Sequence, residues 1–134
     1  MKYKHIIWDW NGTLLNDLTL CVDLLNVSLE KRKLPEMTED KYRKKFLFPI
    51  KTFYESIGFD FSKEDFTIAN DEFHQGFEQK FKKLALQPYA QDTIARFQKL
   101  GITQSILSAT VQSRLNEQVC LLYTSDAADD RCCG

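Results

Sequence analysis

Apolar side chains recur along this chain with changing spacing, and each change marks an element. Residues 3–8, YKHIIW, are rich in β-branched and aromatic side chains and predict a short strand buried on both faces. The strand stops at Asp9, and Asn11-Gly12-Thr13 supply a turn. Asn16 or Asp17 can cap a helix running to about Lys33, on which Leu18, Cys21, Val22, Leu25 and Leu29 form one apolar stripe. Thr38 with Glu39 and Asp40 opens a shorter helix, and Pro49 suits the first turn of a third, which Gly58 ends. Ser62 and Asp65 have capping-box spacing, with Asp in place of Glu or Gln. The helix after them carries Phe66, Phe73, Phe77, Phe81 and Leu84 on one face, a stripe that reads as packing. Pro88 breaks the chain. A helix from about Ala90 presents Ile94, Phe97 and Leu100 and stops at Gly101. Residues 102–107, ITQSIL, read as a second strand, and Ser108-Ala109-Thr110 turns into a last helix near Val111.

Two strands joined through helices should run parallel. The first four helices are too many for one crossover, so residues 16–85 are expected to be a helical module inserted into an α/β core made of residues 1–15 and 86–119. The 134 residues are 43% hydrophobic and 28% charged with a formal net charge of −1, the composition of a soluble globular protein. That balance gives no electrostatic case for nucleic acid or an acidic membrane. The apolar runs are too short to span a bilayer, and the N-terminus reaches Asp9 too soon for a signal peptide, so a cytoplasmic location is expected. Of four cysteines, Cys120, Cys132 and Cys133 fall in the last fifteen residues. Cys21 reads as a small core residue.

The junction IIWDWNGTLLND, residues 6–17, carries the chemistry. An apolar strand delivers Asp9 to its C-terminal end, where open α/β sheets place their ligands. A Gly and a Thr follow, so backbone N–H groups can face an anion. Asp9 there could attack phosphorus as a nucleophile. It could equally serve as the acceptor of an Asx-turn.

Asp9-Trp10-Asn11-Gly12-Thr13-Leu14-Leu15 resembles the first motif of the haloacid dehalogenase superfamily, an apolar strand followed by Asp, any residue, Asp, Gly, Thr or Val, then apolar residues. ITQSIL-Ser108 resembles its second motif, a strand ending in Ser or Thr, and the helical insert lies where the family's C1-type cap belongs. The likeness is to phosphoglycolate-phosphatase-like members and covers residues 1 to about 119. It implies a Rossmann-like core and a phosphoaspartyl mechanism acting on a small phosphorylated metabolite. Asp9 would be the nucleophile. Mg2+ would bridge the Asp9 carboxylate and the phosphate, with the backbone carbonyl of Asn11 as a further ligand. Ser108 would donate to a phosphate oxygen, and N–H groups near Gly12 and Ala109 would complete the cradle. The cation suits these hard oxygens and offsets the repulsion between the two anions.

The chain departs from that pattern twice. Asn11 stands where the family's phosphatases usually have a second Asp, the general acid and base, and an amide can do neither; the cost is a factor of about 100 to 10,000 where the leaving group needs a proton. Asn11 leaves open a phosphatase with another acid or a good leaving group, a non-phosphatase branch, or a weakened enzyme; the alternative to an enzyme is a non-catalytic binding domain that has lost the acid/base Asp. The resemblance also implies a Lys and acidic metal ligands on later strands. Asp126, Asp129 and Asp130 follow Ser108 with no strand–helix unit between. The run Cys120 to Asp129, CLLYTSDAAD, resembles instead a translated transposase-type sequencing adaptor. Residues 120–134 are accordingly expected to be a non-native tail on a truncated, inactive piece, with an acidic natural tail as the alternative. Other features read as structural. His5 and His74 lack ligands at convincing spacing, Trp8 and Trp10 read as packing, and Phe46, Phe48, Phe53 and Tyr54 read as core.

Overall fold

This computed structural model describes residues 2–122. Its elements are β1 (His5–Trp8), α1 (Leu18–Lys31), α2 (Glu39–Lys45), α3 (Ile50–Ser56), α4 (Phe66–Lys80), a 3-10 turn at Phe81–Lys83, α5 (Ala90–Lys99), β2 (Thr103–Ile106) and α6 (Gln112–Leu122). They divide into two compact units: Leu18–Lys80, and the segments on either side of it.

The unit built from the flanking segments holds a two-stranded parallel sheet, its register running from His5 opposite Thr103 to Trp8 opposite Ile106. The parallel pairing agrees with the expectation. Its pleat sorts the side chains. Ile6, Trp8, Gln104 and Ile106 share the half-buried face, against which α5 packs. There the Trp8 Nε1–H donates to Gln104 Oε1 at 2.8 Å, and Gln104 Nε2–H donates to the Ile94 carbonyl at 3.0 Å. His5, Ile7, Thr103 and Ser105 make the other face, which is exposed, Ile7 at 63%. Burial of β1 on both faces, as expected from its apolar run, is therefore corrected: one helix layer covers one side of a pleat. On the open face the His5 ring sits between the Thr103 and Ser105 hydroxyls, 2.7 and 2.9 Å away. Tyr89, left-handed at φ +67°, turns the chain into α5, and Gly101 at φ +77° ends it. α6 packs against the 3-10 turn and continues through Cys120–Leu122.

The Leu18–Lys80 unit is helical. α1 lies against α2 and α4, and its expected stripe is buried: Val22, Leu25 and Leu29 meet Met37, Phe53, Tyr54, Phe59 and Ala69. Thr38 caps α2 as expected, its hydroxyl taking the Lys41 N–H at 3.2 Å. Asn26 holds the preceding loop by both ends of its amide, from the Met37 N–H at 2.7 Å and to the Met37 carbonyl at 2.9 Å. Three local expectations are corrected. Ser62 and Asp65 form no box: Ser62 turns back to Asp60, while Asp65 takes the Thr67 N–H and hydroxyl, both at 2.9 Å. A carboxylate one residue before a helix reaches its first-turn N–H groups without a partner three residues earlier. The Phe stripe does not share one helix, because α4 stops at Lys80. Phe53 and Tyr54 are core, but Phe46 and Phe48 are exposed, Phe48 at 64%, since the chain leaves α2 before reaching them.

The strongest polar cluster in this unit centres on Arg32. Its guanidinium pairs with Glu64, donates to Glu72 Oε1 at 2.9 Å and to the Ser28 carbonyl at 3.0 Å, and lies 5.0 Å from the Phe59 ring centre. Hydrogen bonding to Glu64 raises the Arg32 pKa against its burial. Burial alone would raise Glu72, but hydrogen bonds from Arg32, Lys31 and Ser28 outweigh it and hold the carboxyl at about 2. No helix among the described residues is long and apolar enough to cross a membrane.

Candidate active site

Asp9 is the first residue past β1, and the parallel register brings it beside the exit of β2, where the Leu107 N–H donates to the Trp8 carbonyl at 2.8 Å. The loop after Asp9 closes on itself. The Trp10 carbonyl takes the N–H groups of Thr13, Leu14 and Leu15 at 3.2, 3.1 and 2.9 Å, and the Leu15 carbonyl takes the Gly12 N–H at 3.1 Å. That turn needs Gly12 at φ +76°, a conformation that costs other residues about 1–2 kcal/mol. Three hydrogen bonds hold the loop down. The Trp10 indole is 1% exposed and donates to buried Gln118 of α6 at 2.9 Å. Gln87 donates its N–H to the Leu14 carbonyl at 2.7 Å, and Asn16 donates to the Ala85 carbonyl at 3.0 Å. Trp10 thus packs as expected, with its polar edge satisfied.

The side chains then converge. Asp9 is exposed, and its Oδ2 accepts the Thr13 hydroxyl at 2.9 Å. The Asn11 amide is held at both ends: its Nδ2–H donates to Asp17 Oδ2 at 3.0 Å, and its Oδ1 accepts the hydroxyls of Thr110 at 2.9 Å and Ser108 at 3.3 Å. The Ser108 hydroxyl oxygen in turn accepts the Thr110 N–H at 3.1 Å. Asn11 and Ser108, ninety-seven positions apart in the chain, are therefore in direct contact. Gly12 sits in the same loop with its N–H given to Leu15, and Ala109 is exposed in the β2–α6 loop.

For Mg2+ the relevant donors are the exposed Asp9 carboxylate and the Asn11 backbone carbonyl, both hard oxygens. Among the described residues no group of three or more acidic, His or Cys side chains gathers to form a cage. Mg2+ commonly rests on one or two carboxylates, with waters and substrate phosphate filling its octahedron, so this donor set fits it. Asp126, Asp129 and Asp130 lie outside the described residues.

Three contributors escape a reading of the sequence. Asp17, a candidate helix cap by its position, is 3% exposed and turns its carboxylate to Asn11. Thr110 reads only as a turn residue, and Gln118 stands out in no pattern. An acid at the start of a helix is the one signal available for any of them.

The family model described as haloacid dehalogenase-like hydrolase matches residues 6–130. Among solved structures, a predicted phosphoglycolate phosphatase from Haemophilus somnus 129PT superposes with a TM-score of 0.73 at 16% identity, covering 91% of this chain and 58% of that one. A candidate haloacid dehalogenase-like hydrolase from Bacteroides fragilis gives 0.78 at 17% identity, covering 96% and 60%. A mutant of CbbY from Rhodobacter sphaeroides, in complex with xylulose-(1,5)bisphosphate, gives 0.68 at 18% identity, covering 92% and 58%. The chain thus spans about three fifths of the length of these structures. No curated protein matches the sequence.

Proposed function

The chain belongs to the haloacid dehalogenase-like hydrolase family, and on that premise we propose that it is the nucleophile-bearing part of a cytoplasmic Mg2+-dependent hydrolase of a small phosphate ester. The observation that carries the proposal is the contact between the Asn11 and Ser108 side chains beyond the C-terminal ends of two paired parallel strands, the first of which is followed at once by Asp9. Ligands of open α/β sheets bind at such ends.

In this reading the Asp9 carboxylate attacks phosphorus. One carboxylate oxygen forms a bond to phosphorus, the ester P–O bond breaks, and the leaving oxygen departs as the alcohol once protonated. Thr13, donating to Asp9 Oδ2, keeps the carboxylate rotamer fixed and leaves the other oxygen to react. Water then attacks the phosphoryl group, releasing phosphate and restoring Asp9. The Asp9 carboxylate and the Asn11 backbone carbonyl would hold Mg2+, which when bound offsets the charge between carboxylate and phosphate. The Ser108 hydroxyl would turn its proton from Asn11 to a phosphate oxygen, exchanging one hydrogen bond for a charge-assisted one. The Ala109 N–H would join it; the Gly12 contribution is the shape of the turn, since its N–H is taken.

Asn11 lends no proton, so the leaving group takes its proton from solvent or from another acid, and rates are expected to be highest for esters with good leaving groups. The Leu18–Lys80 helical unit is proposed as the C1 cap. Residues 120–134 are proposed as a non-native tail. The 134 residues alone are proposed to be inactive, because the resemblance puts a Lys and acidic ligands on later strands.

The test uses the complete protein. It should hydrolyse p-nitrophenyl phosphate with Mg2+, and Asp9→Asn should abolish turnover. Unimpaired turnover in that variant would remove Asp9 from the chemistry. If neither protein turns over while phosphate still binds, Asn11 marks a binding domain instead.

A further inference from the structure

We propose that Asp17 is a positioning residue for this site: its carboxylate takes the Asn11 side-chain N–H and thereby fixes which end of that amide faces Ser108 and Thr110. The two ends of an asparagine amide are nearly equal in size, so hydrogen bonding alone orients them. Ser108 and Thr110 cannot decide the matter, because a hydroxyl both donates and accepts. An ionised carboxylate only accepts. Asp17 Oδ2, 3.0 Å from Asn11 Nδ2, therefore admits the N–H end and rejects the carbonyl end. The Asn11 carbonyl oxygen is left to gather the hydroxyl protons of Thr110 and Ser108.

Asp17 is placed for this role by burial. It is 3% exposed, and its Oδ1 lies 3.9 Å from where a Cβ on Gly12 would stand, so the carboxylate sits directly beneath the reactive turn. One acid thus sets the hydroxyl orientations at the end of the second strand, through an amide that itself moves no proton. In the kinetic arm below the inference rests on the proposed reaction; in the other two it does not.

The test is an exchange of the two side chains. Asn11→Asp alone sets two carboxylates against each other and should lower the thermal midpoint of the chain. Asp17→Asn alone keeps an acceptor oxygen but lets the pair adopt either orientation. The double exchange restores an N–H facing a carboxylate and should recover at least half of the midpoint lost in Asn11→Asp; simple addition of the two losses would overturn the proposal. Should Asn11→Asp fail to fold, the native chain still decides. Its Asn11 side-chain protons, read by 15N–1H spectroscopy, should have well-separated shifts and exchange slowly with water, and in Asp17→Ser they should merge toward a free amide. A native Asn11 amide that already exchanges like a free one refutes the proposal. In the complete protein, Asp17→Asn should lower kcat for p-nitrophenyl phosphate by about tenfold with KM little changed, the sign of lost orientation. Equal losses in kcat and gains in KM would contradict it. Because Asp9→Asn is measured separately, failure of the nucleophile and failure of the positioning residue give different results.

Discussion

Replacing Arg32 by Met should uncouple the helical unit from its best ion pairs while keeping most of the apolar stem. The guanidinium is largely enclosed, its side chain 14% exposed, and serves Glu64, Glu72 and the Ser28 carbonyl together. The Glu72 carboxyl, ordinarily at 4.5, is held at about 2. At about 1.4 kcal/mol per tenfold, that gap is equivalent to about 3 kcal/mol of folding free energy. A folded pKa below the unfolded one gives stability that is complete above about pH 5 and lost as pH falls toward 2. Urea denaturation followed by far-ultraviolet circular dichroism reports this unit, since α1 and α4 are the longest helices among the described residues. At pH 7, Arg32→Met should lose about 1–2 kcal/mol relative to the native chain, since Lys31 and Ser28 still bond Glu72 and a quarter of that carboxylate is exposed. At pH 2 the two should differ by less than about 1 kcal/mol. A variant as stable as the native chain at pH 7, or a deficit that persists unchanged into acid, would refute the reasoning.

Two further predictions concern the reactive loop. Trp10→Phe removes the donor to buried Gln118 and should cost about 1–3 kcal/mol, read as a lower thermal midpoint by the remaining Trp8 fluorescence; no change would mean that the indole bond does not anchor the turn. Gly12→Ala meets no atom nearer than 3.9 Å, so its cost is backbone strain at φ +76°, about 1–2 kcal/mol, and phosphate binding to the complete protein should weaken with it. Unaltered binding would detach the turn's shape from the site.

Much of the architecture is legible in the sequence because it follows from local rules. A β-branched run ending in Asp, a turn containing Gly, and a second strand after a Gly stop require only spacing and propensity. Parallel pairing follows from the crossover, and the α1 stripe from its period. The larger failures are non-local. Whether both faces of β1 are covered depends on how many layers pack on it, which its own residues do not encode. Phe46 and Phe48 look like core, yet their exposure is decided by where α2 ends. Asp65 caps its helix without Ser62, because Ser62 gives its N–H and hydroxyl to Asp60 instead. Asp17 is the consequential miss: at a helix start an acid looks like a cap, and only the folded loop reveals Asn11 within its reach.

Acid-quenched mass spectrometry of the complete protein, sampled during turnover of a phosphate ester with Mg2+, tests the nucleophile most directly. One phosphoryl group is expected on the peptide containing Asp9, appearing at early times and disappearing as substrate is exhausted. A label on any other residue, or turnover with no labelled Asp9 peptide at any time, would contradict the assignment of Asp9 as nucleophile.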